Sequence, residues 1–211
     1  MFTAGRARLT LSQDTVAGRA VWRATASAQS TGFVSRLYKV DDTFRSFFHN
    51  GALCSEEVQK TIHEGRRHRE IRVEFQNNRH MAVVRETDLS NNSLVRLEEH
   101  SIPPCAFDVV SALYYVRGQK LEVGKTLKVP VNDGSRTMKI EVEVQAREEI
   151  KTPAGVFQAI RLEPQVFGGT LFKRSGRMFL WLSDDPAHRL LQLKAKLFFG
   201  TITAALTRAS Y

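Results

Sequence analysis

The amino-acid sequence predicts a mainly β, antiparallel protein: a strongly curved sheet or open half-barrel with one main α-helix at about residues 107–117. Three observations support this class. Apolar and polar residues alternate with the two-residue period of half-buried strands, Gly, Pro, Asn and Asp recur between those strands, and one segment has helical spacing instead. Because so many strand edges need protection, a sandwich and a closed barrel are alternatives. The single helix favours a curved sheet that it fills or caps, which leaves an apolar cleft for a ligand.

Strand signals are clearest in two hairpins. Residues 127–131 and 139–144 alternate apolar with other side chains, and Asn132-Asp133-Gly134-Ser135 between them tolerates the positive φ of a tight turn. A second hairpin is predicted to turn at Asn77-Asn78. Further strands, including the two that flank this turn, are predicted over residues 6–11, 19–28, 43–49, 52–61, 71–75, 81–84, 93–99, 156–163, 171–182, 189–196 and 199–207.

Helical spacing is found at residues 107–117. Phe107, Val110, Leu113 and Tyr114 are three or four residues apart, so a helix would place all four on one face. An apolar helical face of this kind packs against other apolar surface. We therefore expect Val110, Leu113 and Tyr114 to be buried against the sheet.

Asp108 and Arg117 lie near the two ends of this helix. A carboxylate at the N-terminus and a guanidinium at the C-terminus both complement the helix dipole, which is a sufficient structural role for each. Nine residues correspond to about two and a half turns, so the two side chains point to different faces and cannot pair. In the alternative interpretation Arg117 leans into the cleft to meet an anionic group, and Tyr115 presents its hydroxyl to the ligand.

Arg67 and Arg69 are the other candidate ligand-binding residues. In one continuous strand they would share the face of Ile71 and Val73, so two guanidinium groups would lie at the end of an apolar face. Since a buried unpaired arginine is unfavourable, they would form a positive rim that is solvated or meets an anion. Alternatively, the strand begins near Glu70 and both arginines belong to a loop.

Length and composition fit one domain, residues 1–211, with 42% hydrophobic residues. The 31 Lys and Arg outnumber the 22 Asp and Glu, but they are scattered along the chain, so the net charge of +9 does not identify a partner. Arginines of residues 66–72 are not interleaved with aromatic residues, and no nucleic-acid partner is predicted. No segment reaches the roughly 18 apolar residues of a membrane span, so an integral membrane protein is not expected. The first residues lack a signal-peptide pattern, so the sequence fits either a cytoplasmic protein or a mature exported one.

Catalytic and metal-binding patterns are not found. His63-Glu64-Gly65 begins like a metalloprotease signature but lacks its second histidine, and Asp184-Asp185 before Pro186 fits a turn better than an acid–base pair. No phosphate-binding glycine loop or dinucleotide fingerprint occurs. The sequence therefore predicts no catalytic residue, metal or cofactor, and a protein that is not an enzyme.

Cys54 and Cys105 are the only two cysteines. Both lie beside turn-like segments, and they lack the CxxC spacing of zinc or redox sites. If paired, they would close a loop of about 50 residues and tie the helix start to an early strand. The alternative is two separate buried thiols.

Three segments within residues 105–196 have the form of motifs known from one protein family. They are Asp108-x-x-Ser111-Ala112-Leu113-Tyr114-Tyr115-x-Arg117, Thr152-Pro153-Ala154-Gly155-x-Phe157 and Trp181-Leu182-Ser183-Asp184-Asp185. Through these segments the chain resembles a bacterial exported family known as domain of unknown function 3108, and a looser match at Leu37-Tyr38-x-Val40-Asp41-Asp42-x-Phe44 extends the resemblance. The chain departs from the family at Arg189-Leu190-Leu191-Gln192, where members have Arg-x-Pro-Val.

The resemblance implies export across the inner membrane, an all-β fold and no established activity. Export favours a Cys54–Cys105 disulfide in a periplasmic protein whose signal peptide has been removed. The first functional hypothesis is a non-catalytic envelope protein that binds a lipid or other amphipathic anion in the sheet concavity. The second is a packed module that recognises another envelope protein. A hydrolase acting on glycan or peptide is the third, and it would need convergent catalytic groups in one pocket.

Overall fold

Antiparallel strands dominate the computed structural model, which describes residues 3–37, 39–167, 175–198 and 200–209, except for the side chains at 33, 34 and 37. Within this part of the chain the strands form two sheets, of seven and six strands. The mainly β, antiparallel class with one main helix is therefore confirmed, although the strands are divided between two sheets.

The seven-stranded sheet is a meander in which each strand pairs with the next in sequence. A six-residue helix, α1 (Gly32–Leu37), connects the second strand to the third, and a single 3-10 turn at Asn77–Arg79 closes the predicted hairpin at Asn77-Asn78. Helix α1 was not predicted, because six residues are too few for a helical period to show. The strands are β1 (Gly5–Val16), β2 (Arg19–Ser30), β3 (Asp41–His49), β4 (Ser55–Glu64), β5 (Arg67–Gln76), β6 (Met81–Asp88) and β7 (Ser93–Ser101).

Helix α2 (Val109–Arg117) and the six-stranded sheet follow in sequence. The predicted hairpin around Asn132-Asp133-Gly134-Ser135 joins β8 to β9, and the strand order is β13-β12-β11-β10-β9-β8. Tyr38 of the looser family match, residues 171–174 of a predicted strand and residue 199 lie outside the described residues. The strands are β8 (Thr126–Asn132), β9 (Thr137–Thr152), β10 (Gly155–Pro164), β11 (Gly176–Ser183), β12 (Leu190–Leu197) and β13 (Gly200–Ala205).

Helix α2 begins two residues later than predicted and turns a different face inward. Ser111, Ala112 and Val116 are its buried residues, whereas Val110, Leu113 and Tyr114 are only half-buried. The expectation that Val110, Leu113 and Tyr114 form the buried face was therefore wrong. The buried face differs because polar contacts set the orientation of the helix. Asp108, which caps the helix, and Ser111 take part in a buried hydrogen-bond network that fixes the rotation of the first turn.

The contacts divide the chain into two compact units. Residues 1–112 and 132–137 form the first, and residues 113–131 and 138–211 form the second. A cluster of eight buried side chains fills the first unit: Val58, Ile71, Val73, Phe75, Ala82, Val84, Ile102 and Ala106. In the second unit, a buried cluster consists of Ala159, Phe179, Trp181 and Leu191. The single domain predicted from the sequence stays a prediction. None of the described helices is long and apolar enough to cross a membrane.

Candidate functional site

One face of the seven-stranded sheet changes from apolar to charged along a single cross-strand row. Directly paired residues of neighbouring strands point to the same face, so the pairing register defines this row. Its β1 end is apolar, its β7 end is charged, and a lysine from the central strand lies between them. From β1 to β7 the row is Leu9, Ala26, Phe44, Lys60, Ile71, Glu86 and Arg96.

Lys60 is the cation at the middle of this face. Its strand neighbours on the same face are Val58, which is buried, and Ile62, which is half-buried. Its ammonium lies 5.4 Å from the centre of the Phe44 ring and donates a hydrogen bond to the backbone carbonyl of Asp133 at 3.3 Å. Among the described residues, no carboxylate lies within 4 Å of it. Its positive charge is therefore held by a ring face and a carbonyl dipole rather than by an ion pair.

Burial lowers the pKa of Lys60, and the charges of Asp108 and Asp133 offset that effect only in part. The surrounding apolar side chains disfavour the ammonium form, so a bound anion would be more strongly stabilised here than at a fully hydrated lysine. A small cavity beside Lys60, lined also by Phe44, Phe75 and Asp108, measures only about 10 Å³, which is roughly room for one water molecule.

Exposed apolar side chains lie on the same face toward β1. Leu9 is 37% exposed and Leu11 is 42% exposed, although both belong to the apolar end of the sheet. Phe44 lies between Leu9 and Lys60 in the same cross-strand row, and Ile62 continues the apolar surface beside Lys60 along β4; both are half-buried. An acyl chain lying across the strands could contact this apolar surface while its charged end reaches the lysine.

Arg67 and Arg69 occupy the predicted register. Strand β5 begins at Arg67, so the continuous-strand interpretation is confirmed over the loop alternative. Arg69 is half-buried at the end of the apolar face, and Arg67 is exposed. Both are paired with carboxylates: Glu86 lies 3.9 Å from Arg67 and 3.6 Å from Arg69, and Asp88 is hydrogen-bonded to Arg69.

The charges at this end of the face are balanced. The hydrogen bond from Arg69 lowers the pKa of Asp88, which keeps that carboxylate ionised beside the guanidinium. Arg96 adds a third arginine 3.5 Å from Glu86 and 3.6 Å from Glu98. These pairs reduce the net positive potential expected of the rim, so ligand binding by Arg67 and Arg69 stays a prediction.

Tyr115 and Arg117 belong to the second unit, and their predicted role in ligand binding is untested. Tyr115 is half-buried. Arg117 donates hydrogen bonds to the backbone carbonyls of His188 at 2.8 Å and Ala187 at 3.0 Å, and its guanidinium lies over the Tyr114 ring at 4.8 Å. Two hydrogen bonds of Arg117 thus hold the loop at residues 187–188, and its guanidinium also stacks on Tyr114 of the same helix.

The predicted disulfide is present. Cys54 and Cys105 are bonded, with their Cα atoms 5.1 Å apart. Next to it, the Asp108 carboxylate accepts hydrogen bonds from the hydroxyls of Ser46 at 2.6 Å and Ser55 at 2.7 Å, and from the backbone N–H groups of Val110 and Ser111. The role of this buried carboxylate is to cap α2 and to accept hydrogen bonds from the two hydroxyls.

The Asp184-Asp185 segment forms the predicted turn. Asp185 accepts a hydrogen bond from the Ala187 N–H at 2.9 Å, the pattern of an Asx turn, and Asp184 pairs with Arg147. The hydrogen bond from Arg189 lowers the pKa of Asp185, so the group is an ionised turn residue.

Sequence analysis missed Lys60, although a signal was available. Val58, Lys60 and Ile62 have the same parity, so a strand over residues 55–64 places a lysine on an apolar face. The predicted strand at residues 52–61 includes Lys60 but assigns it to neither face of the sheet. The central position of β4 in the sheet, which decides that the lysine is away from an edge, follows only from the topology.

Comparison with known proteins supports a family and a fold. A family profile described as "Protein of unknown function (DUF3108)" matches residues 1–207. A crystal structure described as a β-barrel-like protein of domain of unknown function DUF1849 from Brucella abortus is similar with a TM-score of 0.60 and 7% identity. The similarity covers 95% of this chain and 85% of that chain. No curated protein sequence matches the chain significantly.

Proposed function

We propose a function from the premise that this chain belongs to the DUF3108 family of proteins of unknown function, so that no activity is inherited from relatives. In this proposal the chain is a non-catalytic, exported protein of the cell envelope. It binds a single-chain amphipathic anion, such as a fatty acid, on the face of the seven-stranded sheet that carries Lys60.

Lys60 is the observation on which the proposal depends. Lys60 lies at the centre of an apolar sheet face, half-buried, and no carboxylate of the described residues is within 4 Å of it. A lysine in this position lowers the stability of the protein, so its retention is best explained by a function of its charge. An anionic head group would supply the missing counter-charge. The carbonyl of Asp133 accounts for one of its three donors, which leaves donor capacity for a ligand.

The apolar surface beside Lys60 supports an acyl chain as the rest of the ligand. Leu9 and Leu11 are exposed on the same face, and Phe44 and Ile62 continue that surface to the lysine. Two leucines that are exposed on one face of β1 leave apolar surface in water, and covering that surface with an acyl chain would be favourable.

Export is supported by the Cys54–Cys105 disulfide. Disulfides of this structural kind persist in oxidising compartments such as the periplasm and are rare in the cytosol. A periplasmic location also fits the resemblance to exported proteins noted from the sequence.

Binding of oleate and of uncharged oleyl alcohol, measured by displacement of dansyl-undecanoic acid below micellar concentrations, tests the proposal. Lys60→Met should weaken oleate binding by about tenfold, the loss expected for one charge-assisted hydrogen bond, and leave oleyl alcohol unchanged. Leu9→Ser/Leu11→Ser should weaken the binding of both ligands, because the double substitution removes apolar contacts that do not depend on the head group.

Lys151→Met is the matched control, since it removes one positive charge at an exposed position of the second unit. It should bind both ligands like the unmodified protein. Failure of the unmodified protein to bind the probe, or an equal loss in Lys60→Met and Lys151→Met, would exclude a specific anion site at Lys60.

A second candidate function, recognition of another envelope protein, is favoured by strand β7. It is the last strand of the seven-stranded sheet, and Leu94, Val95 and Leu97 are each about half exposed. An apolar edge strand of this kind is a template for pairing with another chain. If Leu97→Lys abolishes co-purification of a partner from envelope extracts while oleate binding is absent, this second function would be preferred.

A further inference from the structure

Two histidine side chains meet across strands β4 and β5. His63 and His68 are directly paired in the sheet register, and their Nδ1 atoms are 2.9 Å apart. The ring centres are 5.2 Å apart and the rings are tilted by 51°. Because His63 and Lys60 differ by an odd number of positions, the histidine pair lies on the opposite face of the sheet from the proposed anion site.

The two nitrogens have the spacing of two neighbouring ligands of one metal ion. Metal–imidazole bonds are about 2.0–2.1 Å long, so two nitrogens at a right angle about the metal are about 2.9 Å apart, against about 3.4 Å at a tetrahedral angle. Right-angle geometry is that of tetragonal Cu(II) and Ni(II) sites, and imidazole is a ligand that both ions prefer.

Both side chains are only half-buried, so an ion can reach them from solvent. They lie next to the turn at residues 65–66, where the strands end. The backbone N–H of His63 donates a hydrogen bond to the Asp42 carboxylate at 2.9 Å. This bond holds that part of β4 in place and leaves the His63 imidazole available to bind an ion. The β4–β5 pairing therefore presents the two rings together before any ion binds.

We propose that His63 and His68 form a two-histidine site for Cu(II), with water in the remaining coordination positions. Without metal, one ring carries its proton on Nδ1 and donates it to the Nδ1 of the other. Coordination through both Nδ1 atoms requires the first ring to lose this proton and to take one up at Nε2. The exchange releases no net proton from two neutral rings.

The described residues include no group of three or more His, Cys, Asp or Glu arranged to hold a metal ion. The site thus consists of two protein ligands and water, and it binds copper less tightly than a three- or four-ligand centre. The sequence gives no signal for this site, because the spacing of five between His63 and His68 matches no helical metal motif. Only the pairing of β4 with β5 brings the rings together.

The test uses tag-free protein, stripped with chelator and titrated with Cu(II) in a non-coordinating buffer. One Cu(II) per chain should bind, and pulsed electron paramagnetic resonance should show two coordinated imidazoles. His63→Gln and His68→Gln should each weaken binding by at least about tenfold and leave at most one coordinated imidazole. Glutamine keeps a polar, hydrogen-bonding side chain at each position, so the hairpin is preserved.

His80→Asn is the control. His80 is exposed in a left-handed backbone conformation with φ of 54°, which asparagine tolerates well. This variant should bind Cu(II) like the unmodified protein and show the same two imidazole signals.

Equal Cu(II) binding by the unmodified protein and the His63→Gln/His68→Gln double variant would overturn the proposal. So would a spectrum with one imidazole in the unmodified protein, because the two rings would then not share an ion. The proposal would also be overturned if the unmodified protein bound no Cu(II) while the variants lost thermal stability. The histidine pair would then be a structural hydrogen bond only.

Discussion

The carboxylate of Asp108 accepts a hydrogen bond from the Ser55 hydroxyl at 2.7 Å, beside the disulfide that joins Cys54 to Cys105. The backbone N–H of Asp108 in turn donates to the same Ser55 oxygen at 2.7 Å. The start of β4 and the start of α2 are therefore connected twice, once covalently and once by a buried polar network. The disulfide limits how far the two segments can separate, and the network sets how the helix is rotated.

Removal of the Asp108 carboxylate should destabilise the protein strongly. Asp108→Ala leaves the buried hydroxyls of Ser46 and Ser55 and the first helical N–H groups without their acceptor, so the free energy of unfolding should fall by roughly 2–4 kcal/mol. Urea unfolding measures it. Asp14→Ala, which breaks a more exposed pair with Arg23, should cost less than about 1 kcal/mol. Similar losses in the two variants would show that the network contributes little.

Reduction of the disulfide should also lower stability. The bond closes a loop with a sequence separation of 51, for which the chain-entropy model gives about 4 kcal/mol. Cys54→Ser/Cys105→Ser should therefore unfold at a much lower urea concentration than the oxidised protein. Intact mass after alkylation without reduction should show no modified cysteine, and two alkylated thiols in the folded protein would contradict the pairing.

Replacement of Lys60 should increase stability. At neutral pH Lys60→Met removes a charge from an apolar face, and the free energy of unfolding should rise by about 1 kcal/mol. The sign of the pH effect follows from the lowered pKa of Lys60. Between this lowered value and the ordinary lysine pKa of 10.5, the unfolded chain binds more protons than the folded one, so the Lys60 contribution becomes more favourable as pH rises.

The difference in unfolding free energy between the unmodified protein and Lys60→Met isolates this contribution, because other groups cancel. One such group is Tyr114, whose pKa is raised by burial. The advantage of the methionine variant should shrink as the pH approaches 10.5. An advantage that is constant with pH would show that Lys60 is not desolvated.

Helix α2 offers a matched pair of valine substitutions. Val116 is 5% exposed and Val109 is 52% exposed, so Val116→Ala should cost roughly 1–3 kcal/mol while Val109→Ala should be close to neutral. Chemical denaturation of the two variants compares them directly. A larger loss for Val109→Ala than for Val116→Ala would contradict the burial of Val116 and the exposure of Val109.

Arg67→Ala/Arg69→Ala should have a smaller effect on oleate binding than Lys60→Met. Glu86 and Asp88 already neutralise these arginines, so their removal should weaken binding by less than about fivefold and mainly at low salt. The same displacement assay, run at two salt concentrations, measures the effect. A loss larger than that of Lys60→Met would move the anion site to the end of β5.

Much of the fold was predictable, because strand periodicity and turn chemistry are local. The alternation at residues 127–131 and 139–144 and the turn at Asn132-Asp133-Gly134-Ser135 predicted the β8–β9 hairpin, and the helix was placed to within two residues of Val109–Arg117. The short helix Gly32–Leu37 was missed because one and a half turns give no measurable period. The buried face of α2 was also predicted wrongly. The spacing of apolar residues does not show that Ser111 has a buried hydrogen-bond partner, Ser55, from another part of the chain.

The candidate sites show where sequence information ends. Parity alone places Arg69 on the apolar face of β5, and would have placed Lys60 on the apolar face of β4, since side chains alternate along any strand. Whether a charge on that face is neutralised depends on residues from other strands, and only the pairing of β5 with β6 brings Asp88 to Arg69. The five-residue separation of His63 and His68 is likewise uninformative until the β4–β5 register brings their nitrogens within 2.9 Å. The sequence by itself determined strand periodicity, turns, the helix and the family of this protein. The tertiary structure alone decided which charges are paired, because pairing depends on register between strands distant in sequence.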